Sequence, residues 1–219
     1  NDGSYIAVGG QGSASCGGFS NTNEIRIYRF NKISEKTEAI TSQKYGTRVY
    51  VTSWSPDGKY LAVGGKEAIS GGGFLNTNQV RIYEFKNDNL YPITSVSLGT
   101  NATLFSMKWH PSGNFLALGS YNAGAVGTFP AGNNLRIYSF DGTALNEVIS
   151  RNPAYTVMGV DWSHDGQYIA IGTFNCPSDY PDNPESHNAY GPGKLRIYEF
   201  QNYSALIQKA IYPGASDPR

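Results

Sequence analysis

Trp54-Ser55-Pro56-Asp57-Gly58-Lys59-Tyr60-Leu61-Ala62-Val63-Gly64-Gly65 decides the architecture, because the chain repeats it. The phrase returns as Trp109 to Ser120 and as Trp162 to Thr173, and a headless copy opens the chain as Asn1 to Gly10. Each copy is followed by a second phrase with Arg-Ile-Tyr at its centre: Ile25 to Phe30, Val80 to Phe85, Leu135 to Phe140 and Leu195 to Phe200. The arginines Arg26, Arg81, Arg136 and Arg196 are spaced 55, 55 and 60 residues apart. A period of that length belongs to stacked structural units rather than to one irregular core.

The second copy shows what a unit is made of. Tyr50 to Trp54 is a β-branched and aromatic run that stops at Ser55-Pro56-Asp57-Gly58, where proline suits the first central turn position and glycine tolerates a left-handed backbone. Tyr60 to Gly64 is apolar throughout, as expected of a strand covered on both faces. A loop, Gly71 to Asn78, leads to a third strand, Val80 to Phe85; after the turn Lys86 to Asn89, Leu90 to Leu98 supplies a fourth. No stretch has helical periodicity. The expectation is an all-β β-propeller of four blades, each of four antiparallel strands, the first blade lacking its inner strand. The blade units fall at about residues 1–45, 46–100, 101–153 and 154–213, forming one propeller domain or part of one. Trp54, Trp109 and Trp162 should end the inner strands and point inward. Their period-two neighbours, Tyr50 and Thr52, Phe105 and Met107, and Met158 and Val160, should do the same.

These phrases resemble the repeats of the WD-repeat propellers over essentially the whole chain. The Ser-Pro-Asp-Gly turn and the Leu-Arg-Ile-Tyr-Glu-Phe strand carry the resemblance. Where that family ends its third strand in Trp-Asp, this chain has Tyr28-Arg29, Tyr83-Glu84, Tyr138-Ser139 and Tyr198-Glu199, and the Gly-His before the first strand is absent. The hydrogen-bond tetrad of WD repeats therefore does not carry over. The phrases are also similar to those of lactonase-type and TolB-type propellers.

Bulk properties narrow the function classes. Seventeen basic and seventeen acidic residues give a formal charge of zero, so no basic stripe exists to follow a phosphate backbone, and nucleic acid is not expected as a partner. No apolar run approaches the length of a membrane span, and no signal peptide or lipidation motif stands out. The chain begins at Asn1 and reads as processed or as part of a longer product. Twenty-six glycines and sixteen tyrosines suit a turn-rich β protein and lean towards an extracellular or cell-surface location, with the cytoplasm as the alternative.

The long loops between second and third strands hold the candidate binding residues, because loops on a rigid scaffold commonly carry recognition. They are Phe19, Asn21 and Asn23 in the first unit, Phe74, Asn76 and Asn78 in the second, and Phe129 and Asn133 in the third. Their recurrence in successive units equally fits a structural duty in turns and blade edges. The fourth unit carries an insertion, Phe174 to Gly193, whose Asp179, Asp182, Asn183, Glu185 and His187 lack the spacing of a dedicated calcium loop, so no metal is assigned. The repeated arginines, each inside a strand and near a tyrosine, suggest stacking and blade-to-blade bonding rather than an anion ring. Cys16 and Cys176 lie in the same type of loop and could form a disulfide if their units are neighbours, or stand as two separate thiols. Asn101-Ala102-Thr103 and Asn202-Tyr203-Ser204 are glycosylation sequons in turns.

No nucleophile elbow, phosphate loop or zinc motif is present, and of the inner-strand positions that would line a channel only Lys108 and Asp161 are charged. The expectation is a non-enzymatic interaction or self-assembling module without cofactor, binding a protein partner or copies of itself. The alternatives are part of a lactonase-type enzyme and a lectin-like carbohydrate binder.

Overall fold

The computed structural model describes residues 3–11, 22–99, 102–121, 132–153, 156–174 and 193–213. Among these there is no helix. Fifteen strands run in chain order as β1 (Tyr5–Gly9), β2 (Ile25–Asn31), β3 (Lys36–Gln43), β4 (Gly46–Trp54), β5 (Tyr60–Ala68), β6 (Val80–Lys86), β7 (Asn89–Val96), β8 (Thr103–Trp109), β9 (Phe115–Tyr121), β10 (Leu135–Phe140), β11 (Leu145–Arg151), β12 (Thr156–Trp162), β13 (Tyr168–Phe174), β14 (Lys194–Gln201) and β15 (Ala205–Pro213). They form four separate sheets in simple meander order: β1-β2-β3, β4-β5-β6-β7, β8-β9-β10-β11 and β12-β13-β14-β15. These are propeller blades, three of four strands and the first of three among the described residues, as the repeat predicts.

The chain divides into two compact units. Residues 1–98 with 140–145 make the first, and residues 99–139 with 146–219 the second. In the first, Ile25 and Ile27 of β2 are fully buried with Leu61 and Val63 of β5 and Tyr83 of β6, so one blade lies on the next through alternate residues of its strands. A polar clasp closes the same pair of blades. The Tyr5 hydroxyl donates to Asp88 at 2.5 Å, and the Arg29 guanidinium pairs with the same carboxylate. These two bonds hold the Asp88 carboxyl below its ordinary pKa. In the second unit, Ala117, Leu135 and Ile137 meet Ile169, Ile171 and Tyr198, with Val157, Val160 and Trp162 of β12 beneath them.

Local chemistry explains the sharp turn after each inner strand. Gly58, Gly113 and Gly166 all sit at φ between 73° and 78°, the region only glycine enters without strain. In two copies the serine after the tryptophan organises the turn. Ser55 Oγ donates to Asp57 Oδ1 at 2.5 Å and accepts the Tyr60 amide at 2.9 Å, and Ser163 repeats this with Asp165 (2.6 Å) and Tyr168 (2.9 Å). In the third blade His110 takes the serine's place.

One expectation about the inner strands is corrected. The strand ladder skips a residue between Val49 and Val51, between Leu104 and Ser106, and between Val157 and Gly159. Tyr50, Phe105 and Met158 are therefore β-bulge residues, and the bulge breaks the period of two. Val160, Met107 and the tryptophans Trp109 and Trp162 stay buried as expected, whereas Tyr50 and Met158 are turned out to solvent.

Candidate functional site

The chemistry-bearing residues of the second unit lie on its two inner strands. The indole Nε1–H of Trp162 donates to the Lys108 carbonyl at 3.2 Å, and the Val160 amide donates to Ser106 Oγ at 3.0 Å, which ties β12 to β8. Beyond the Met158 bulge the residues of β12 alternate again, so Val160 and Trp162 face the core and Asp161 faces out. Asp161 Oδ1 then lies 3.3 Å from Lys108 Nζ, and both side chains keep more than half their surface in solvent. Such an exposed pair contributes about 0.2–1 kcal/mol to folding, so stability does not account for its position. Met158, at the bulge of the same strand as Asp161, is also exposed. The Lys108–Asp161 contact is a solvated acid–base pair built from residues 53 positions apart in sequence. Both residues precede a strand-ending tryptophan. That shared position was the one signal in the sequence that they would meet.

The loop residues are placed differently. Asn23 donates to Ser42 Oγ at 3.0 Å, Asn78 to Ser95 Oγ at 3.0 Å, and Asn133 to Ser150 Oγ. Each asparagine lies three residues before its blade's arginine and grips the outermost strand of the same blade. Asn76 donates to Ser95 Oγ at 2.9 Å and receives the Asn78 amide. Phe74 is buried, edge-on to Tyr83 at 5.3 Å. Phe19, Asn21, Phe129, Cys16, Cys176 and Asn101 lie outside the described residues. Asn202 sits exposed in the turn after β14 with a left-handed backbone.

The arginines serve the frame. Arg81 is fully buried, its guanidinium 5.1 Å from the Tyr45 ring and 5.3 Å from that of Phe74, and it donates to the carbonyls of Lys44, Ile69, Gly71 and Asn76. Arg26 and Arg136 each donate to the carbonyl of the asparagine three residues before them, at 3.2 Å, and Arg196 to the Pro153 carbonyl at 2.9 Å.

His110 was not singled out from the sequence as a functional group, and of the two histidines among the described residues it is the buried one, His164 being exposed. Its ring lies 4.9 Å from Trp162, 5.7 Å from Phe115 and 6.0 Å from Phe200. The Ser112 amide donates to Nδ1 at 3.0 Å, which leaves Nε2 to carry the proton and donate to the Gly166 carbonyl at 3.1 Å. Burial holds its pKa below the ordinary 6.5, partly offset by the Gly166 carbonyl. Among the described residues no group of three or more histidine, cysteine, aspartate and glutamate side chains could hold a metal ion.

Blades with this strand order and an exposed inner-strand face define a β-propeller, and the comparisons with known proteins agree. The family model of eukaryotic translation initiation factor eIF2A matches residues 1–176, and the chain belongs to that family. A presumed 6-phosphogluconolactonase from Bacteroides uniformis has a similar structure, with TM-score 0.66 at 14% identity over 100% of this chain and 57% of that one. A protein from Lactobacillus plantarum gives 0.58 at 10% over 85% and 48%, and Sqt1 from Chaetomium thermophilum 0.56 at 15% over 93% and 42%. The chain spans about half the length of these structures, and at such identities the likeness is one of fold. No curated protein matches it in sequence.

The likeness to the Bacteroides protein overturns the expectation that this is not an enzyme, which rested on missing catalytic motifs. Such motifs are local in sequence. In a propeller, reactive groups come together from positions a whole blade apart, as Lys108 and Asp161 do. Their absence excludes nothing on this fold.

Proposed function

We propose that the chain is a propeller module of a translation initiation factor, docking a protein component of the initiation machinery on the end of the inner strands. The family match over residues 1–176 carries this reading. The exposed Met158 and the solvated Lys108–Asp161 pair, all on the inner strands of this unit, support it, because binding surfaces usually combine apolar anchors with surrounding charges. The WD-repeat resemblance of the phrases points the same way. On this reading the chain works in the cytoplasm, and the zero net charge favours protein over nucleic acid as the direct contact. The test is co-sedimentation of the purified chain with purified small ribosomal subunits and initiation factors. Saturable binding weakened by Met158→Glu is expected; no binding at micromolar concentration overturns the reading.

Lactone hydrolysis is the second reading, favoured by the likeness to the presumed lactonase and by the solvated Lys108–Asp161 pair. Asp161 would act as the base that activates water and Lys108 would steady the developing negative charge. Hydrolysis of 6-phosphogluconolactone that disappears in Asp161→Asn would support it, and no hydrolysis above the spontaneous rate would remove it.

A further inference from the structure

The turn after β8 differs from those after β4 and β12 by an exchange of side chains. In the other two a serine leads and an aspartate follows two residues on, Ser55 with Asp57 and Ser163 with Asp165; after β8 the order is His110 and then Ser112. In every copy the serine hydroxyl meets the other side chain, at 2.5 Å, at 2.6 Å and, for Ser112 Oγ and His110 Nδ1, at 2.8 Å. The turn closes equally well with serine and aspartate, so its geometry does not require the exchange. The chemistry changes, however. A carboxylate takes up a proton only near pH 4, whereas an imidazole does so at about 6.5 and can accept one from a hydroxyl during a reaction.

Two backbone groups set the imidazole tautomer. The Ser112 amide donates to Nδ1 at 3.0 Å, and the Gly166 carbonyl lies 3.1 Å from Nε2, so Nδ1 is an acceptor and Nε2 carries the hydrogen. The Ser112 hydroxyl therefore donates to Nδ1, while its oxygen accepts the Asn114 amide at 3.2 Å. Ser112 is exposed, but the His110 residue is only 6% exposed, packed by Phe115 of β9, Trp162 of β12 and Phe200 of β14. His164 and Asp165, the charged residues beside Gly166, are themselves exposed. A solvent-accessible nucleophile, a base within hydrogen-bond reach and a third group orienting that base are the parts that activate a serine. An aromatic surface adjoins them, since the ring of Tyr203, 62% exposed, stacks on Phe115 at 5.2 Å.

We propose that Ser112 is a nucleophile with His110 as its general base, forming an acyl-transfer site for small aryl esters. Ser112 Oγ attacks the acyl carbon as its proton passes to His110 Nδ1, in place of the bond from the Ser112 amide. The ester bond breaks, the aryloxide recovers that proton and leaves as the phenol, and the acyl group stays on Ser112. Water then attacks the acyl-serine, its proton passing through Nδ1 to Ser112 Oγ, and the carboxylic acid departs. The Gly166 carbonyl steadies the imidazolium formed in each half. Aryl esters suit the site because their leaving groups are stable anions and their rings match the Tyr203–Phe115 surface. The proposal depends on neither reading of the inner-strand face, and none of its residues is assigned there.

The experiment follows the reaction of the 219-residue chain with p-nitrophenyl acetate. We expect a burst of p-nitrophenol of up to one equivalent, an added acetyl group, and peptide mapping that places it on Ser112 and not on Ser55 or Ser163. Ser112→Ala should abolish the burst and keep the fold, because the side chain is exposed. His110→Gln should slow acylation about 100-fold. In the parent chain, which needs no substitution, the acylation rate should rise to a plateau with its midpoint below pH 6.5, since burial lowers the His110 pKa, partly offset by the Gly166 carbonyl. Acetylation confined to lysines, a burst unchanged in Ser112→Ala, or a rate that climbs in proportion to hydroxide from pH 5 to pH 8 would each overturn the proposal.

Discussion

Trp109 and Trp162 hold their blades by burial, and Trp162 also by a hydrogen bond to the neighbouring inner strand. Trp109→Ala should cost about 3–5 kcal/mol in chemical denaturation. His110 makes the protein sensitive to acid. Unfolded, it takes up a proton near its ordinary value of 6.5; folded among Trp162, Phe115 and Phe200, it does so only at lower pH. Between those two values the unfolded state binds more protons, so stability rises with pH through the window. His110 should therefore cost nothing above pH 6.5 and destabilise the fold as the pH falls below it. Melting temperatures of the parent and His110→Gln should converge at low pH and differ most at neutral pH. A constant difference from pH 5 to pH 8 would refute this. In the sequence His110 simply stands where Ser55 and Ser163 stand in the other turns. Its burial was hidden because Phe200, in another strand far along the chain, completes its surroundings.

At the scale of elements, one glycine of the repeat reports how closely the next blade approaches. A methyl group on Gly9 would meet Val49 Cγ1 at 2.3 Å, and one on Gly119 would meet Val157 Cγ1 at 2.7 Å. On Gly172, the same position in the last blade, it would meet nothing within 4 Å. Gly119→Ala should thus destabilise by about 1–3 kcal/mol through overpacking, while Gly172→Ala should be neutral or slightly stabilising. Equal melting shifts for the two variants would contradict this account. The strands themselves were legible because they recur: Tyr60 to Gly64 and Val80 to Phe85 announce a covered strand and its neighbour wherever they appear. The bulges at Tyr50, Phe105 and Met158 were not. A bulge is set by the fit of a strand to the next blade, and the residues at these three positions share only their bulk. The pairing of Lys108 with Asp161 was obscured in the same way, since it depends on the phase of each strand after its bulge.

The whole molecule carries seventeen charges of each sign and no net charge at neutral pH, so little electrostatic repulsion keeps copies apart. Its solubility, followed by light scattering, should pass through a minimum near pH 7 and rise on either side; a minimum far from neutrality would mean that surface apolar patches, not charge, set the limit. Repetition itself has a cost in the kinetics of folding. Three inner-strand segments, ending in Trp54, Trp109 and Trp162, share one pattern and can mispair with one another's blades while the chain is still disordered. A segment from one unfolded molecule can likewise enter a blade of another before either has completed its sheets, and such entanglement grows with concentration. Refolding from denaturant should therefore lose yield as protein concentration rises, with the native form best recovered from dilute solution.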